Sequence, residues 1–210
     1  MADREIRICV VGDELAVGVG DPRGLGWVGR IAARTPQLDL TLSMYPLAVP
    51  RETTTGLASR WQAEAALRWT GHDAAGVSPP VEARLVIGLG MGDLRNRTTL
   101  ARSRLNLANI LDAAENSGIK TLVVGPPPVA ARGADAAVAG AVGELSSAFG
   151  DVCHRRRVRY VDTFTPLSAH EDWFADLAAG DGRHPGQAGY GLLAWLILHA
   201  GWNTWLGLEA

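Results

Sequence analysis

The sequence predicts a three-layer α/β/α sandwich around a five-stranded parallel sheet, built as one domain. Three observations carry this. Short β-branched runs alternate with helix-period runs of ten to twenty residues. The first apolar run, Ile8-Cys9-Val10-Val11, is continuous rather than alternating, as a strand buried on both faces reads. And 210 residues with 47% hydrophobic content suit one domain with a sizeable core.

Residues 7–11 end at Gly12 and form the first strand. Residues 24–34 read as a helix, with Trp27, Val28 and Ile31 on one face. Residues 38–44 alternate apolar and polar, as a strand does. Residues 53–69 have helical spacing through Leu57, Trp61 and Ala65. Residues 84–89 are a third strand, stopped by Gly90, and residues 98–117 a long helix with Leu105, Ala108 and Leu111 in step. Residues 120–124 are a fourth strand, ended by Gly125 and Pro126 to Pro128. Residues 134–149 form an Ala/Gly-rich helix, 158–161 a fifth strand, and 187–202 a closing apolar helix. Such sheets bind ligands beyond the carboxyl ends of their strands. The loops to inspect are therefore 12–23, 45–53, 90–97, 125–133 and 162–185.

Composition excludes several classes. A formal net charge of -2 gives no reason for nucleic-acid binding or membrane adsorption. No stretch approaches the roughly 18 apolar residues of a membrane span. The charged start, Met1 to Glu5, is followed by too short an apolar run for a signal peptide, so a cytoplasmic protein is expected. Cys9 and Cys153 form no CxxC and read as reduced core or surface residues. His72, His154, His170 and His199 are scattered, so neither a metal site nor a cofactor is expected. Gly88-Leu89-Gly90-Met91-Gly92 lacks the third glycine and the acidic partner of a dinucleotide loop. There is no G-x-S-x-G elbow.

Three of the loops carry recognisable pieces. The first is Gly12-Asp13-Glu14-Leu15, continuing through Gly18 to Arg30. The next is Gly90-Met91-Gly92-Asp93. The last is Asp181-Gly182-Arg183-His184-Pro185, before a helix start rich in small residues. In order and spacing, from about residue 7 to residue 200, the set resembles the SGNH (GDSL-type) hydrolase family, whose blocks read G-D-S-L, G-x-N-D and D-x-x-H-P. The resemblance implies a flavodoxin-like fold. It also implies a site in which a serine attacks an ester, a histidine takes its proton and an aspartate orients the histidine. The oxyanion is then held by the serine N–H, a glycine N–H and an asparagine side chain.

Carried over position by position, Asp181 and His184 match. Glu14 falls at the serine, Gly92 at the asparagine and, in the best register of residues 45–53, Arg51 at the glycine. Three of the four defining residues are thus replaced together. A carboxylate is already ionised at neutral pH and needs no base to activate it, and a lost oxyanion donor typically costs about 10²–10³ in rate. Ordinary serine esterase chemistry is therefore not expected.

Two main readings stay open. In one, Glu14 and His184, held by Asp181, act as general base and acid on a small, anionic substrate in a biosynthetic step, given pKa values tuned toward neutrality. In the other, Glu14 is ion-paired with His184, and the protein is a non-catalytic binder or scaffold. A third, weaker reading has Glu14 hydrolyse as nucleophile or water activator. Asp13, Arg51, Gly92, Asp93, Arg95 and Arg183 are the expected substrate-binding residues. With Arg23, Arg97 and Arg132, the arginines at this edge suggest a carboxylate or phosphate substrate, or else solvated loop charge. The apolar tail from Trp195 to Leu208 is a candidate homodimer contact.

Overall fold

In the computed structural model, which describes residues 4–37, 39–70, 81–130 and 136–208, the first strand forms the centre of the molecule. β1 (Arg4–Gly12) keeps Ile8, Cys9, Val10 and Val11 at 0% exposure because both of its faces are covered. It pairs in parallel with β2 (Leu40–Ala48) on one side and β3 (Val81–Gly88) on the other. β4 (Lys120–Val124) and β5 (Arg159–Val161) extend the sheet, giving the order β2-β1-β3-β4-β5. This is the flavodoxin-like order, with its switch point between β1 and β3, where a ligand crevice is expected. The five-stranded parallel sandwich is as the sequence predicts.

Two cores lie against the two faces. Ile6, Ile8 and Val10 point to one, which also holds α1 (Gly26–Arg34), α7 (Glu171–Ala179) and α8 (Gln187–Ile197). Cys9 and Val11 point to the other, with α2 (Thr54–Trp69), α4 (Leu100–Asn116) and α5 (Ala136–Arg155). The period-2 alternation of a strand makes this division. Thr53 and Thr99 cap α2 and α4, their side chains accepting the N–H groups of Gly56 and Arg102. Short helices α3 (Gly92–Arg95), α6 (Phe164–Leu167) and α9 (Asn203–Leu206) complete the chain.

Several boundaries differ from the expected ones. The loop expected over 162–185 contains α6 and α7, because Trp173 and Leu177, one turn apart, are both buried. The closing helix kinks at Ala200 and Gly201, where Gly201 has φ +87°, before α9. In the tail that is a candidate homodimer contact, Trp202, Trp205 and Leu206 pack into their own chain at no more than 3% exposure, while Trp195 is open at 55%. Leu38, His72 and the start of the helix expected from Ala134 lie outside the described residues. Among the described residues, no helix is long and apolar enough to cross a membrane.

Candidate active site

The carboxyl ends of β1 and β3 nearly touch. A Cβ on Gly12, at φ +153°, would strike the Gly88 carbonyl, so only glycine fits, and Asp13 N–H donates to that same carbonyl at 3.3 Å. The next two side chains leave the sheet in opposite roles. Asp13 is buried and accepts N–H bonds from Leu15 (3.1 Å) and Gly90 (2.7 Å). Burial, with the charge of Glu14 beside it, pushes its carboxyl up to about 7. Glu14 turns toward the loop after β2 and toward His184.

The Glu14 carboxylate has two partners across the site. Oε2 accepts the Arg51 N–H at 2.5 Å, and Oε1 lies 3.5 Å from His184 Nε2. Burial pushes the carboxyl up, but His184 and backbone N–H donation outweigh it and hold the group down at about 2. Arg51 reaches this position in the left-handed region, at φ +59°.

His184 sits between two carboxylates on the loop from α7 to α8. Asp181 accepts the N–H groups of Arg183 (2.8 Å) and His184 (2.9 Å), and its Oδ2 is 2.6 Å from ring Nδ1. Burial opposes ionisation of Asp181, yet these bonds hold it at about 2. The His184 ring is raised above its usual value, by Glu14 first and against its own desolvation, then by Asp181. The ring lies between two carboxylates that both favour its charged form, the Glu14 side chain being 12% exposed and that of Asp181 53%. The expected tuning of both partners toward neutrality is not what the geometry produces, since the two values move apart.

The other expected site residues divide. Arg95 and Arg183 border a cavity of about 20 Å³ together with Asp13, Glu14, Met91 and His184. That is room for about one water. A recess of about 590 Å³ lies beside it, bordered by Val19, Pro22, Asp176, Asp181, His184 and Gln187. Asp93 was expected to meet substrate but is 3% exposed, and its two oxygens accept the N–H and hydroxyl of Thr54, both at 2.8 Å. It anchors the start of α2 instead. Gly92 is likewise buried, and a Cβ there would fall on the Glu52 carbonyl, so the backbone after β2 fills the space of any side chain. Arg51 contributes an N–H, while its side chain points outward and borders neither space. Arg132 lies outside the described residues, and Arg23 and Arg97 are exposed and border neither cavity. Sequence reasoning missed the Glu52 carbonyl, because a backbone oxygen leaves no mark in residue identity. Among the described residues, no three His, Cys, Asp or Glu side chains gather as metal ligands would.

Solved structures with the same fold share 16–21% identity with the chain. A lipase/acylhydrolase from Enterococcus faecalis has a TM-score of 0.70 at 20% identity, covering 93% of this chain and 94% of its own. An acetylxylan esterase from Geobacillus stearothermophilus has 0.70 at 16%, with 100% of both chains covered. A member of the lipolytic G-D-S-L family from Veillonella parvula has 0.70 at 17%, covering 92% and 97%. No curated protein matches the chain significantly. The model of the GDSL-like Lipase/Acylhydrolase family matches residues 10–192, and the chain belongs to that family of hydrolases.

Proposed function

We propose that Glu14 has taken the seat of the family's nucleophilic serine and closed it. On this reading the protein does not cleave esters by the serine route, and it uses the remaining cleft to bind a small ligand. One observation carries this. The Glu14 carboxylate accepts the N–H group of Arg51, which stands where the resemblance puts one of the backbone oxyanion donors. A developing oxyanion would have to displace a carboxylate already bonded there. Such a donor stabilises a transition state only when it is open to it.

Further features support the reading. The Glu52 carbonyl fills the place of the third donor at Gly92, and the space beside Glu14 has room for about one water. A serine-to-alanine form of the Geobacillus esterase is described as a catalytic mutant, which accords with serine as the working residue in that neighbour. The recess beside His184 and Asp181 is the retained ligand space. Arg95 and Arg183, at the small cavity, would favour an anionic group. Cys9 and Cys153, both buried and unpaired, suit a reducing compartment such as the cytoplasm.

The acid–base reading keeps one observation in its favour. His184 lies between two carboxylates that favour its charged form, and it borders the recess, where it could donate a proton. Glu14, held at about 2, is a weak base.

The test uses p-nitrophenyl acyl esters and a fluorophosphonate label. The wild-type protein should show neither turnover above the blank nor labelling. Turnover abolished by Glu14→Gln would overturn the binding reading in favour of catalysis. Labelling at any hydroxyl would overturn the assignment of Glu14.

A further inference from the structure

A cleft separate from the candidate active site lies at the other end of the sheet. It has a volume of about 910 Å³ and is walled by residues at the starts of β4 and β5, the end of α5 and α9. Its charge is one-sided. Lys120, the only lysine of the chain, opens β4, Arg159 opens β5, and Arg156 and Arg157 follow α5. Glu115 is the only carboxylate residue among those lining it.

Part of this charge has a local explanation. Arg156 pairs with Asp112 at 2.6 Å, and basic residues at the end of α5 complement its carbonyls. That account does not reach Lys120 or Arg159, which come from two strands. Arg159 donates to the neutral Ala200 carbonyl, so its charge is not offset. Arg157 is exposed in the left-handed region, φ +54°, where glycine would fit with less strain. Lys120 is held below its usual value by desolvation and by the charges of Arg84 and Arg159. The floor is apolar: Leu111, Ile119, Val158 and the buried Trp205, whose indole N–H donates to Thr121 O at 3.2 Å.

We propose that this cleft is a second binding site, for an organic anion with at least two negative charges, as phosphate or carboxylate, on an apolar body. The cations converge from three elements and would repel one another without a bound anion, while the floor accepts an apolar face. The volume is that of a small-molecule site. The site is separate from the Glu14 cleft, and its fate does not depend on what that cleft does.

Isothermal titration of the whole chain with 1-naphthyl phosphate, 1-naphthol and inorganic pyrophosphate tests this. Naphthyl phosphate should bind at least about tenfold tighter than naphthol, and its affinity should fall as salt rises. The Trp205 indole N–H signal should shift on binding. Lys120→Gln with Arg157→Gly, both at exposed positions, should weaken binding about tenfold or more, and Glu14→Gln should leave it unchanged. If the double variant loses its fold by circular dichroism, Lys120→Gln alone is read, with a severalfold loss expected. The proposal is overturned by no saturable binding, by equal affinity for naphthol, by undiminished binding in the charge variants, or by loss of binding in Glu14→Gln.

Discussion

Glu14 and Arg51 are 37 residues apart in sequence, and the carboxylate of the first accepts the backbone N–H of the second. The bond joins the loop after β1 to the loop after β2 across the mouth of the site. It depends on a left-handed Arg51 and on the close approach of Glu52 to Gly92. The carboxylate, the turned backbone and the missing side chain at position 92 are therefore one arrangement. Changing any one of them disturbs the other two.

The His184 ring should titrate above the ordinary 6.5 in the wild-type protein, because Glu14 and Asp181 both favour its charged form. Glu14→Gln removes one of these two charges. The ring should then titrate lower, as followed by NMR of its ring protons across pH. An unchanged titration would mean that Glu14 does not act on the ring.

Stability should peak near about pH 4 to 4.5 and fall on both sides. Glu14 and Asp181 have folded values near 2, below their ordinary 4.5 and 3.8, so their contribution is complete above those ordinary values and is lost as pH falls toward 2. The His184 contribution is complete below its ordinary 6.5 and is lost as pH rises through its raised folded value. Asp13, raised to about 7 from 3.8, loses its contribution progressively between those two values, because the folded state holds its proton more tightly, so the decline begins above about pH 4 and His184 steepens it above 6.5. Urea midpoints measured from pH 3 to 9 would show the dome. A curve still rising at pH 8 would contradict it.

Restoring the family's residues should not restore activity. Glu14→Ser alone leaves the Glu52 carbonyl over Gly92, so ester turnover should stay near the blank. Gly92→Asn forces a side chain onto that carbonyl and should cost about 1–3 kcal/mol in chemical denaturation. Brisk p-nitrophenyl acetate hydrolysis by Glu14→Ser would show that the loop opens readily.

Asp21 should be the most sensitive residue of the first loop. Its side chain is fully buried and accepts the N–H groups of Arg23, Leu25 and Gly26 as well as the Arg30 guanidinium. Asp21→Ala would strand a buried cation and three donors. A loss of about 3–5 kcal/mol is expected by urea denaturation. A loss under 1 kcal/mol would show that Arg30 finds water.

Much of the fold was legible because periodicity reports burial directly. The run from Ile8 to Val11 signals a strand covered on both faces, and Trp27, Val28 and Ile31 mark one face of a helix. Trp173 and Leu177 carried the same signal for α7, but the neighbouring Asp172, Asp176 and Gly180 made the stretch resemble a loop. Of the site, the grouping of Glu14, His184 and Asp181 was readable from the blocks that resemble the family. Asp93 was misread, since a carboxylate beside a glycine looks the same whether it meets a ligand or Thr54.

The sequence by itself determined the strand–helix alternation, the family blocks and the presence of a carboxylate beside an imidazole. Residue type and spacing are enough for the first two, and the resemblance of the blocks to the family implies the third. Only the tertiary structure decided how the carboxylate is held, because one of its partners is a backbone N–H group and its space is limited by the Glu52 carbonyl. Every residue has those backbone groups, so their effect comes from position alone. The cationic cleft at the opposite end follows the same rule: its arginines and lysine are plain in the sequence, and only the fold brings Lys120, Arg157 and Arg159 to one wall.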